Sequence, residues 1–216
     1  MINWPDINSV FLDLDGTLLD LHFDNHFWLE HVPVCYAHRH GLDHAEALSV
    51  LNDKYAAVMG SLDWYCVEYW SKELDLDISQ LKQDMAHKIA VRPQVEEFLE
   101  FLHMRGKRVV LVTNAHPASV SIKMNKTNLD RYFNRIISSH ELKLAKEENG
   151  FWDRLQKIES FDMNKTLFID DNFGVLDAAK DYGIKHLLAI KKPDSRGDEK
   201  EHHEYTLLDS FEQITK

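Results

Sequence analysis

Apolar residues along this chain come in two rhythms. Short, nearly continuous runs at residues 9–14, 108–113, 135–138, 166–170 and 185–190 read as strands buried on both faces. Segments at 93–105, 117–129, 150–160 and 173–182 carry apolar positions three and four residues apart and read as amphipathic helices. The first of these helices has Pro93 near its start and Gly106 just past its end, the usual punctuation of a helix. Strands alternating with helices of this length predict an α/β fold built on a doubly wound, mostly parallel sheet.

One stretch interrupts the alternation. Residues 20–89 read as helical throughout, with breaks near Gly41-Leu42-Asp43, Gly60-Ser61 and Leu76-Asp77. About 70 residues is far longer than a βα loop, so the stretch is expected to be an inserted all-helical cap domain. The α/β core would then comprise residues 1–19 and 90–216. Residues 191–204 are charged and broken by Pro193 and Gly197, which predicts an exposed loop.

Composition narrows the class. The 216 residues are 44% hydrophobic, enough for a core plus a smaller appended domain. No run of roughly 18 apolar residues is present, so no membrane span is expected. The first residues lack the basic flank and apolar core of a secretory signal, and a cytoplasmic location is the expectation. Cys35 and Cys66 form neither a disulfide framework nor a closely spaced metal pair. The net charge of −11 argues against nucleic acid as a partner but not against a small anion beside a metal ion.

Candidate chemistry gathers where the apolar runs end. Val10-Phe11-Leu12 opens into Asp13-Leu14-Asp15-Gly16-Thr17, two carboxylates two residues apart. If strand geometry persists they face one site, and Gly16 permits a sharp turn. One acid can attack while the other moves protons. A second run ends in Thr113-Asn114, offering a hydroxyl, an amide and backbone N–H groups to a phosphate. A cation before the helix at 150–160 is supplied by Lys143 or Lys146. A fourth run ends in Asp170-Asp171, adjacent acids whose repulsion calls for a hard divalent cation such as Mg²⁺.

These four features, in this order, resemble the haloacid dehalogenase-like hydrolases. The resemblance implies a phosphoaspartate hydrolase with sheet order 5-4-1-2-3 and a helical cap inserted after the first strand. It implies that Asp13 is the nucleophile, that Asp15 protonates the leaving oxygen and later activates water, and that Thr113 and Lys146 hold the phosphoryl group. The lysine is assigned to Lys146 by its spacing from Phe151-Trp152, although Glu147 stands where the family commonly has proline. Mg²⁺ is expected around Asp13, Asp15, Asp170 and Asp171, with Asp171 the direct ligand and Asp170 behind it; the more common second acid, four residues after the metal ligand, is Val175 here. Dehalogenase members lack the acid at Asp15, so its presence implies hydrolysis of a phosphate monoester.

The cap should choose the substrate. It carries Leu19 through Trp28, then Leu62-Asp63-Trp64-Tyr65-Cys66 and Glu68-Tyr69-Trp70-Ser71, where aromatics intersperse with Asp24, Asn25 and Glu68. Most such aromatics form helix-bundle core, but the mixture also suits stacking a base and reading its edge. With Thr113-Asn114-Ala115-His116-Pro117, these segments resemble the bacterial GMP/IMP nucleotidases of the same superfamily. That likeness implies a 5′-nucleotidase for purine monophosphates, with Asn114, Asp24, Asn25 and Glu68 as substrate contacts. The alternatives are a sugar-phosphate phosphatase or phosphoglucomutase of the same superfamily and, from another class, a receiver module that keeps its phosphoryl group. The early position of the attacking acid and the large cap disfavour the receiver. Of the 13 histidines, His38, His40, His44, His202 and His203 read as solvated, whereas His22, His26 and His116 fall near the cleft. Nothing in the chain specifies an oligomeric state.

Overall fold

Six parallel strands make one sheet in the order β3-β2-β1-β4-β5-β6 in the computed structural model, which describes residues 2–215. They are β1 Ser9–Leu12, β2 Arg108–Thr113, β3 Arg135–Ser138, β4 Thr166–Asp170, β5 His186–Ile190 and β6 Thr206–Leu208. The first five keep the implied 5-4-1-2-3 order. β6 adds an edge that the sequence reading missed, since three residues are too short to show a period.

β1 lies at the centre, with Val10 between Val109 and Leu167 and Leu12 between Leu111 and Ile169. Alternate side chains leave opposite faces of a strand. Val10, Leu12, Leu111 and Ile169 accordingly join one apolar cluster, while Phe11, Val110, Val112 and Phe168 join the other. Burial on both faces explains why these runs read as continuous apolar sequence rather than alternation. The central pairing sends the ends of β1, β2 and β4 to one edge of the sheet, the usual ligand edge of such folds.

The helical cap occupies the chain between β1 and β2, and the predicted breaks fall at its helix ends. Gly41, with φ 66°, closes the helix Val32–His40, and Asp43 opens His44–Val58 in a reciprocal capping box with Glu46. Asp77 caps Ile78–Asp84 by accepting from the Gln80 N–H. A π-wound turn, Phe27–His31, precedes Pro33, which has no N–H to give. Cap residues Phe23, Phe27 and Trp70 belong to the same apolar cluster as one face of the sheet, so cap and core share packing. Among the described residues, no helix is long and apolar enough to cross a membrane.

Candidate active site

A cleft of about 530 Å³ lies between the sheet edge and the cap. That is within the range of small-molecule sites, roughly 300–1,000 Å³. Its floor is polar and comes from the core: Asp13, Asp15, Thr113, Asn114, Lys146, Asp170 and Asp171. Its apolar side comes chiefly from the cap: Trp28, Tyr55, Trp64 and Tyr65.

Asp13 follows β1 directly, its N–H donating to the Ile169 carbonyl at 3.0 Å, so the ladder fixes where its side chain emerges. Lys146 Nζ donates to Asp13 Oδ1 at 2.5 Å, Asp170 Oδ2 at 2.7 Å and the Val112 carbonyl at 3.2 Å. Burial would strip the charge from this lysine, but the two carboxylates outweigh burial and hold its pKa above the ordinary lysine value. Asp170 is pushed up to about 8 by burial, against the pull of Lys146, with Asp13 and Asp171 adding repulsion.

Three buried carboxylates, Asp13, Asp170 and Asp171, offer oxygens within 4.8 Å of one another, an all-oxygen set that suits Mg²⁺. Gly16 makes this cluster possible. Its φ is 86°, and a Cβ there would stand 2.7 Å from Asp171 Cγ, inside any real contact. Asp170 Oδ1 also accepts from the Asn172 N–H at 2.8 Å, so both its oxygens have protein partners. The carboxylate of Asp15, expected among the metal ligands, stands outside the cluster.

Asp15 points instead at a buried chain of charges. Its Oδ2 lies 2.7 Å from Lys123 Nζ, which also contacts Asp24 Oδ2 at 2.7 Å. Asp24 Oδ1 in turn accepts from Lys82 Nζ at 2.8 Å. Burial raises Asp15 to about 6, with Lys123 opposing and Asp24 and Asp13 reinforcing the rise. A carboxyl that holds its proton near neutrality is suited to giving it to a leaving alkoxide. Asp24 therefore has both oxygens engaged by ammonium groups. It lines the cleft, as a substrate contact would, and serves there as counter-ion of a buried lysine pair.

Thr113 Oγ1 accepts from the Ala115 N–H at 3.0 Å, which shapes the turn above β2. The Asn114 side chain is likewise committed. Its Oδ1 accepts from the Lys146 N–H at 2.9 Å and its Nδ2 donates to Glu147 Oε2 at 2.8 Å. Glu147 also accepts from the Tyr65 hydroxyl of the cap at 2.9 Å. The residue that departs from the family's proline thus ties cap, Asn114 and the lysine loop together.

Asn25 borders the cleft and donates to Asp194 Oδ2 at 2.7 Å. Glu68 does not line the cleft; its side chain is 67% exposed and its Oε2 lies 2.7 Å from His116 Nε2. Residues 191–204 form the loop expected and stay largely exposed, but Lys200 reaches from it to the site. Lys200 Nζ donates to Asp171 Oδ2 at 3.0 Å and to the Asp171 carbonyl at 2.5 Å. Arg92 holds the same loop through the carbonyls of Lys192 and Pro193. Lys200 was illegible in sequence because it lies amid surface-like charges and reaches Asp171 only through the fold.

Comparison with known proteins agrees with this geometry. The family model for haloacid dehalogenase-like hydrolases matches residues 7–183. The chain is 37% identical over 213 residues to the GMP/IMP nucleotidase YrfG of Escherichia coli (strain K12), covering 99% of this chain and 96% of that protein. Among solved structures it is similar to an HAD phosphatase from Thermococcus onnurineus, with a TM-score of 0.80, 21% identity and 96% of each chain covered. It also resembles L-2-haloacid dehalogenase from Xanthobacter autotrophicus, with a TM-score of 0.63, 12% identity and 97% of each chain covered. These two likenesses concern the fold alone. From the ordered acids, the buried lysine and the family match together, the chain belongs to the haloacid dehalogenase-like hydrolases.

Proposed function

We propose that this hydrolase is a Mg²⁺-dependent 5′-nucleotidase that removes phosphate from 6-oxopurine monophosphates such as GMP and IMP. The observation that carries the reading is the composition of one cleft: a phosphoaspartate constellation on its floor and four cap aromatics on its side. The near-full-length likeness to a GMP/IMP nucleotidase supports the choice of substrate.

Asp13 attacks phosphorus in line with the ribose 5′-oxygen, forming an aspartyl phosphate. Asp15 gives its proton to that oxygen, then takes one from the water that hydrolyses the intermediate. Lys146 offsets charge on the phosphoryl oxygens, and Thr113 with the backbone N–H groups around it fixes their positions. Mg²⁺, held by Asp13 and Asp171 with Asp170 behind, would neutralise phosphate charge and align it with the nucleophile. The ring faces of Trp28, Tyr55, Trp64 and Tyr65 are suited to hold a purine. Stacking alone cannot separate guanine from adenine, because both have π-faces. Discrimination needs a polar group at the 6-position and N1, and Asn25 is the cap amide at the cleft suited to that contact. Glu68 is no longer assigned there.

Phosphate release from GMP, IMP, AMP and hexose phosphates tests the reading. Turnover should favour GMP and IMP, and Asn25→Ala should narrow the GMP-to-AMP ratio of kcat/KM. Preference for hexose phosphates would favour the sugar-phosphate alternative and overturn the nucleotidase reading.

A further inference from the structure

The rim of the cleft holds a second cluster of metal-ligating side chains, chemically unlike the acidic one. Cys66, His116 and His140 offer ligand atoms within 4.8 Å of one another. Cys66 lies in the cap at the start of the helix Val67–Leu74; His116 follows β2, and His140 sits in the short helix Ser139–Leu142 after β3. Three distant segments supply them, which is why sequence spacing gave no sign of a site.

Two independent observations point to a ligand. His140 Nε2 is buried and has no hydrogen-bond partner, although a buried polar nitrogen normally finds one. The carboxylate of Glu68 lies beside the cluster, its Oε2 2.7 Å from His116 Nε2 and 3.7 Å from Cys66 Sγ. The two imidazoles stand edge to face with centroids 4.7 Å apart.

We propose that Cys66, His116 and His140, with Glu68 as the fourth donor, bind a divalent cation of the Zn²⁺ class and so tie the cap to the core. One sulfur, two imidazole nitrogens and one carboxylate oxygen make a borderline-soft set that favours Zn²⁺ over Mg²⁺. A tetrahedral zinc site needs donors closer than 4.8 Å, so side chains must contract by about an ångström. Binding releases the Cys66 thiol proton. It also moves the His116 proton from Nε2 to Nδ1, giving up the long 3.3 Å contact from the Ala118 N–H. Because Cys66 and Glu68 belong to the cap and both histidines to the core, the bound ion restrains cap opening. Zn²⁺ should inhibit turnover without displacing Mg²⁺.

Cobalt(II) is the probe, added to the whole protein with Mg²⁺ already saturating. One equivalent should produce the near-ultraviolet absorption of a cobalt thiolate, and Zn²⁺ should abolish it. Cys66→Ser should lose the band, and His140→Gln should weaken Co²⁺ binding at least tenfold. Both variants should keep Mg²⁺-supported turnover, which also reports that they fold, and both should lose inhibition by Zn²⁺. Absence of the band in the parent protein overturns the proposal. So does a band that survives Cys66→Ser, which would place the thiolate at Cys35, or Co²⁺ affinity unchanged in His140→Gln.

Discussion

At the scale of residues, the site is a matter of charge compensation inside a buried space. Lys146 serves two carboxylates at once, and Lys123 serves two more, each lysine about 2% exposed. Removing one partner of a buried pair leaves the other charge uncompensated, which typically costs about 3–5 kcal/mol. Asp24→Asn should therefore lower unfolding stability by about that amount, read from urea denaturation, because Lys82 loses its carboxylate partner and Lys123 is left with Asp15 alone. The two adjacent aspartates should separate in function. Asp171→Ala should raise the Mg²⁺ concentration for half-maximal activity more than Asp170→Ala does. Asp170→Ala should act mainly on kcat, since Asp170 also holds Lys146 in place. Mg²⁺ titrations of both variants check this, and equal shifts would remove the distinction.

At the scale of elements, the ends of β1, β2 and β4 bring the core acids and Thr113 to one edge, and, besides the Glu68–His116 contact, two cross-links connect that edge to the cap. One is the lysine–aspartate chain through Asp24; the other is Tyr65 to Glu147 to Asn114. A hydrogen bond to a charged acceptor contributes about 1.5–3 kcal/mol. Tyr65→Phe should thus raise KM for nucleotides by roughly tenfold or more if closure of the cap uses that bond. Steady-state kinetics on GMP and on a small aryl phosphate distinguish cap closure from core damage: the aryl substrate should change less. The strands and the cap were legible in sequence because burial on both faces leaves continuous apolar runs, and Gly41, Asp43 and Asp77 punctuate helices by local chemistry. β6 escaped because Thr206–Leu208 is too short for a period to register.

At the scale of the molecule, the residues flanking apolar runs could be read from the chain and the contacts made across the fold could not. Asp13, Asp15, Thr113, Lys146, Asp170 and Asp171 each follow an apolar run or precede a helix, so local sequence marks them. Lys200, Lys123 and the Tyr65–Glu147 pair act across the fold, where sequence separation hides the contact. Asp24 and Glu68 looked like base contacts because they stand among aromatics. In the structure one is enclosed by lysines and the other faces His116. The fold thus joins an acidic floor to an aromatic cap.

Transfer of phosphate from a purine nucleotide to Asp13 is the step on which the whole reading depends. Rapid acid quench of the enzyme during turnover of phosphate-labelled GMP, followed by peptide mapping, observes it directly. The label should appear on Asp13 within the first turnover. In Asp13→Asn it should be absent and turnover should fall roughly 10³-fold or more. Sustained release of phosphate from GMP by Asp13→Asn at near-parent rate, with no labelled protein in either enzyme, would contradict the account.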